Sequence, residues 1–144
     1  MKETITVEAL YVARATSTGA GRQGHVRSDD GIIDYDLSMP KEMGGAGGTG
    51  TNPEQLFAAG YAACFHNALL RMARMAKVRI PGSSVSAEVG IGRAGEGFGL
   101  AVTLVIDIPD VDHAQAQELV AAAHRVCPYS NATRGNIDVE LKVA

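Results

Sequence analysis

Residues 44–70 read GGAGGTGTNPEQLFAAGYAACFHNALL: a glycine-rich loop, a helix start, then an apolar helix carrying one cysteine. Asn52 is suited to cap that helix, with Pro53 in its first turn. Gln55, three residues after the cap, is placed to return the capping hydrogen bond. From Leu56 to Phe65 almost every side chain is apolar or small, and a helix without a polar face is normally buried. The pattern predicts a helix from Pro53 to about Lys77, with Gly60 where a bend would fall. Cys64 and Glu54 are both drawn toward the interior.

The flanking segments alternate instead. Ile5, Val7, Ala9 and Tyr11 have the period of a half-buried opening strand over residues 5–15. A glycine-rich turn over residues 16–24 (TSTGAGRQG) holds Arg22, and Asp30-Gly31 reads as a two-residue hairpin turn between His25–Ser28 and Ile32–Met39. Beyond the central helix, Val85, Ala87, Val89 and Ile91 alternate, as do Phe98, Leu100, Val102, Leu104, Ile106 and Ile108 across the turn Gly95-Glu96-Gly97. That is a long hairpin. Asp112 with Gln115 opens a second helix with an apolar stripe of Leu119, Ala122, Ala123 and Val126, and Pro128 stops it just after Cys127. Ile137, Val139, Leu141 and Val143 form a closing strand. The order is α+β, antiparallel sheets around a long buried central helix, with no regular βαβ alternation to suggest a parallel sheet.

A chain of 144 residues suits a single domain over 1–144. Hydrophobic residues make up 46% and charged residues 20%, a globular composition rather than a disordered one. No run approaches the roughly 18 apolar residues of a membrane span, and MKETITVEAL lacks the apolar segment of a secretory leader, so the expected location is the cytoplasm. A net charge of -3 without a basic block argues against nucleic acid as a partner. Gly45, Gly47 and Gly50 fit G-x-G-x-x-G ahead of a helix, yet no Asp or Glu lies between Glu54 and Glu88 to hold a ribose, and no Gly-Lys-Ser/Thr follows. We reject a dinucleotide site and read the loop as letting the chain pass close to a neighbour. His25, His66, His113 and His124 form no zinc pattern, so no metal is expected. His66, two residues from Cys64 on a helix, points away from it.

Cys64 and Cys127 are the only cysteines, and each is either an inert small hydrophobe or redox-active. A reactive cysteine must ionise. Cys64 lies twelve residues past Asn52, about 18 Å along a helix, beyond reach of the helix dipole, so it needs a cation such as Arg22. Cys127 sits at a helix C-terminus, where a thiolate is disfavoured. Cys64 is therefore the better nucleophile and Cys127 the better resolving partner. Glu54 and Cys64 are about 15 Å apart on one straight helix, too far to share a site within one chain. Two copies crossing antiparallel near residue 59 would bring Glu54 of one beside Cys64 of the other, and Ala-Ala-Gly-Tyr-Ala-Ala over residues 58–63 would permit close approach. A sharp bend at Gly60 is the competing explanation.

TNPEQLFAAGYAACF and VCPYSNATRGNIDV, with the GGAGG run and the G-R-x-G turn at Arg22, resemble the organic hydroperoxide resistance (Ohr) proteins of the OsmC superfamily over essentially the whole chain. The resemblance implies an intertwined α+β homodimer with its two sites at the subunit interface. It implies Cys64 as peroxidatic cysteine, Cys127 as resolving cysteine, Arg22 stabilising the thiolate and Glu54 orienting Arg22. It further implies a metal-free and haem-free peroxidase for organic hydroperoxides with no bound cofactor, reduced by lipoyl dithiols such as dihydrolipoamide or a lipoylated protein. Apolar lining is expected from Leu56, Phe57, Phe65 or the glycine loop. The alternative is a redox sensor or apolar-ligand binder that does not turn over.

Overall fold

The computed structural model describes residues 6–144, whose contacts gather into two compact units, one up to Leu56 and one from Phe57 onward. In the first, β1 (Ala15–Thr18), β2 (His25–Ser28) and β3 (Asp34–Asp36) form an antiparallel meander in sequence order. The opening strand expected over residues 5–15 is not formed. Ile5 lies outside the described residues, residues 6–14 are not strand, and pairing begins at Ala15. Alternation supplies a face, but a strand also needs a neighbour for its backbone groups. Val7, Leu10, Tyr11 and Val12 are all exposed.

The hairpin at Asp30-Gly31 is wider than two residues. The Ser28 N–H donates to the Ile33 carbonyl, and the Asp30 carboxylate accepts from the Ser28 hydroxyl and the Ile32 N–H. After β3 the glycine loop folds back on the strand's continuation. Thr51 N–H donates to the Asp36 carbonyl, Ser38 N–H to the Thr51 carbonyl, and Gly50 N–H to the Ser38 hydroxyl at 2.9 Å. The loop thus delivers Asn52 as a fixed helix start.

Helix α1 spans Pro53–Met75 without a break at Gly60. Gln55 N–H donates to Asn52 Oδ1 at 2.8 Å, the expected cap. The Gln55 side chain does not return the bond; its Oε1 takes the Thr51 hydroxyl instead. The helix ends in a Schellman turn, with Lys77 N–H on the Arg74 carbonyl and Val78 N–H on the Ala73 carbonyl. Lys77 occupies the left-handed position at φ 60°.

In the second unit β4 (Ser84–Ala94) and β5 (Gly97–Asp107) pair antiparallel along their whole length. Helices α2 (His113–Val126) and α3 (Pro128–Thr133) follow, then β6 (Val139–Val143), which pairs with β5 in parallel. The sheet is therefore mixed rather than antiparallel throughout. Alternating side chains carry no sign of strand direction, and the helical crossover brings β6 back pointing the same way as β5. Tyr61, Phe65 and Leu69 of α1 are fully buried among Leu104 and Ile106 of β5 and Ala123 of α2. Side chains of this size contribute about 1.5–3 kcal/mol each on burial. The helix is not buried all round, because Ala59, Ala63 and Asn67 are exposed in the single chain. Among the described residues no helix is long and apolar enough to cross a membrane.

Candidate active site

The first unit joins Arg22 and Glu54. Arg22 lies in a one-turn 3-10 helix, Gly21–Gln23, between β1 and β2. Gly24 closes that turn where a Cβ would fall 2.2 Å from the Thr18 carbonyl oxygen, so no other residue fits without moving the backbone. Glu54 stands in the first turn of α1, where the helix dipole favours an anion. The guanidinium grips the carboxylate with both forks, Nη1 to Oε2 at 2.9 Å and Nη2 to Oε1 at 2.7 Å. This hydrogen bonding raises the Arg22 pKa further and holds the Glu54 carboxyl below the usual carboxylate range. Two of five N–H donors serve Glu54, leaving three to face another anion. The Arg22 side chain is 33% exposed against 12% for Glu54, so the carboxylate is the anchored partner.

The second unit joins the two cysteines, both free thiols. Cys64 is half-buried on α1 and Cys127 fully buried. Both belong to one apolar core, Cys64 packed against the buried cluster that holds Cys127. Burial pushes the Cys64 thiol up first, and Cys127 adds to it through charge and through hydrogen bonding, while the Tyr129 backbone N–H works the other way. Each of these influences arises in the second unit, and together they leave Cys64 short of the positive charge a thiolate needs.

Cys127 does not sit simply at a helix end. It is the C-cap of α2 and, with Pro128 at the first position, also the residue before α3. The C-terminal end of α2 and the N-terminal end of α3 oppose each other at this residue, so helix dipoles do not set Cys127 apart from Cys64 as expected. Pro128 ends α2 and also opens α3, a helix that reading it as a stop alone does not predict. The same Pro is favoured at a helix's first position, and that signal was present in the sequence.

Around the thiols, Phe57, Tyr61 and Tyr129 pack ring against ring with centroids 5.5–6.2 Å apart. Gly60 makes room for Tyr129: a Cβ there would fall 2.6 Å from the tyrosine hydroxyl. The glycine thus serves close approach rather than a bend. Phe57, Phe98, Leu100, Tyr129 and Ile137 line a mostly apolar cleft of ≈ 550 Å³. Of the residues expected to supply apolar lining, Phe57 does so, whereas Phe65 is fully buried in the core. His66 donates to or accepts from the Ser83 hydroxyl at 2.9 Å, away from the sulfurs. His25 lies between Asp34 and Asp36 on the meander, an arrangement its sequence position did not announce. Among the described residues no three His, Cys, Asp or Glu side chains cluster as metal ligands.

The family model described as OsmC-like protein matches residues 45–142. The organic hydroperoxide resistance protein of Xanthomonas axonopodis pv. citri is 56% identical over 138 residues, covering 95% of this chain and 96% of the relative. The crystal structure of the organic hydroperoxide resistance protein OhrB of Bacillus subtilis superposes with TM-score 0.87 at 51% identity, over 94% of this chain and 100% of that one. A putative organic hydroperoxide resistance protein from Vibrio cholerae, solved with captopril in one of its active sites, gives TM-score 0.89 at 53% identity, over 96% and 95%.

Proposed function

Because the chain belongs to the OsmC-like family, on its organic hydroperoxide resistance branch, we propose that it protects against organic peroxides as a cysteine-based peroxidase. The observation that carries this reading is the pairing of Cys64 with a fully buried Cys127 as two neighbouring free thiols in one interior. The Cys64 thiolate attacks the outer oxygen of ROOH, the O–O bond breaks, and the alkoxide takes a proton and leaves as ROH. Cys64 is then a sulfenic acid. The Cys127 sulfur attacks it, water leaves, and a disulfide forms before further peroxide can over-oxidise Cys64. A dithiol, dihydrolipoamide or a lipoylated protein, reopens the disulfide by exchange and departs oxidised. No bound metal or cofactor takes part.

The high pKa imposed on Cys64 within its own unit calls for a cation, and Arg22, held by Glu54 with three donors to spare, is suited to supply it. In our reading the protein is a homodimer in which Arg22 and Glu54 of one chain complete the Cys64 site of the other. The unbroken α1 supports this over a bend at Gly60, and the exposed Ala59 and Ala63 favour close helix approach. An apolar cleft wall at Phe57 and Tyr129 favours alkyl and fatty-acid hydroperoxides over hydrogen peroxide, which has no apolar surface to bury.

Two variants test the division of labour. Cys64→Ser is expected to abolish hydroperoxide consumption; retained consumption would refute the nucleophile assignment. Cys127→Ser should complete one turnover and then accumulate sulfinic acid at Cys64. A Cys127→Ser protein that cycles normally would remove the resolving role.

A further inference from the structure

Cys127 is bracketed at equal spacing by two polar residues that bond to each other. His124, three residues before it in the last turn of α2, and Ser130, three residues after it in α3, meet Nδ1 to Oγ at 2.8 Å. Cys127 is the vertex between the two helices, with extended backbone at φ -64°, ψ 125°. The Ser130 hydroxyl continues to the Tyr61 hydroxyl at 2.8 Å, and Tyr61 lies one helical turn before Cys64 on α1. Tyr61 also meets the Thr133 hydroxyl at 3.2 Å, and Thr133 donates to the Ser130 carbonyl at 3.2 Å. Tyr61 and Ser130 are fully buried, so neither can turn to water for a replacement partner. Outside, the Arg134 guanidinium joins the His124 carbonyl to the Asn131 side chain.

Counting hydrogens fixes the direction of this chain. Four bonds need four hydrogens, and the three hydroxyls supply three. The carbonyl at the far end can only accept, so Thr133 donates to it, Tyr61 to Thr133, and Ser130 to Tyr61. The fourth hydrogen must come from His124, as the Nδ1–H form.

We propose that His124, in its Nδ1–H tautomer, with Ser130, Tyr61 and Thr133, is a positioning device that sets the angle of Cys127 and ties it to the turn of α1 bearing Cys64. A disulfide tolerates little error, with sulfurs about 2.05 Å apart and Cβ atoms near 3.8 Å. The staple across residues 124 and 130 governs how fast the Cys64 sulfenic acid is captured, and leaves its formation alone. This rests on the peroxidase reading above.

The experiment follows single-turnover oxidation by cumene hydroperoxide with rapid quench and mass analysis. His124→Leu removes the donor, whereas His124→Asn keeps an amide N–H in the Nδ1 place. With His124→Leu, capture by Cys127 should slow about tenfold and the sulfinic fraction should rise, with sulfenic acid formed at nearly the wild-type rate. His124→Asn should restore capture. Equal capture in all three proteins, or failure of both variants alike, overturns the positioning role. Wild-type protein that forms no sulfenic acid would instead refute the peroxidase reading, and the positioning role with it. Independently of folding in His124→Leu, imidazole 15N NMR should report Nδ1–H in the wild type. Thr133→Val removes the acceptor that forces the direction, so the Nδ1–H preference should weaken and the Nε2–H form gain population. A wild-type protein in the Nε2–H form overturns the assignment.

Discussion

At the residue scale, Arg22 and Glu54 form the best-defined ion pair of the described chain, a two-pronged grip across 32 residues of sequence. Its contribution should follow pH in one direction. A carboxyl whose pKa is lower in the folded than in the unfolded chain contributes stability that is complete above its unfolded value, about 4.3, and lost as the pH falls through the folded value. Thermal unfolding of wild type and Glu54→Gln should therefore differ by a constant margin above about pH 5, and the margin should shrink in acid and vanish once the pH has fallen below the folded Glu54 value. A margin that widens in acid would contradict the pairing. One requirement was legible in the sequence: a cysteine too far from any helix start needs a cation such as Arg22. The pairing itself came from resemblance, because nothing local links positions 22 and 54. The Tyr61–Ser130 bond, spanning 69 residues, had no sequence signal at all.

At the element scale, local chemistry was readable wherever it is short-range. Asn52 and Asp112 both cap as their sequences suggest, each accepting the N–H three residues on. The hairpin of β4 and β5 follows its alternation and its Gly95-Glu96 turn. What failed depends on partners far away in sequence. Residues 6–14 alternate but have no strand assignment, and β6 alternates without revealing that it runs parallel to β5. The C-terminus of α1 offers a test of local strain. Lys77 holds the left-handed position that glycine adopts at no steric penalty, so Lys77→Gly should raise stability by about 0.5–1 kcal/mol in chemical denaturation. A loss of stability would mean that the lysine side chain contributes more than the strained backbone costs.

At the scale of the whole molecule, the two halves of the proposed site lie in different compact units, the ion pair in one and the thiols in the other. Burial patterns in the sequence could not separate a helix buried by its own chain from one buried by a second copy, since both read as uniformly apolar. Ala59 and Ala63 of α1 are exposed in the single chain, and a second copy of the proposed homodimer would cover them. The proposed homodimer makes a distinctive prediction. Arg22→Ala and Cys64→Ser proteins should each be inactive, yet co-expressed they should regain about a quarter of wild-type activity, because a mixed dimer holds one intact composite site. Co-expressed protein that forms mixed dimers and stays inactive would refute the shared site.

The measurement that tests the central claim most directly is steady-state consumption of an alkyl hydroperoxide and of hydrogen peroxide by the purified protein, each with dihydrolipoamide as sole reductant. The account predicts sustained turnover strongly favouring the alkyl substrate, with Cys64 and Cys127 passing through a disulfide in every cycle. Oxidation that stops after one equivalent in excess dithiol, or turnover indifferent to the alkyl group, would contradict it.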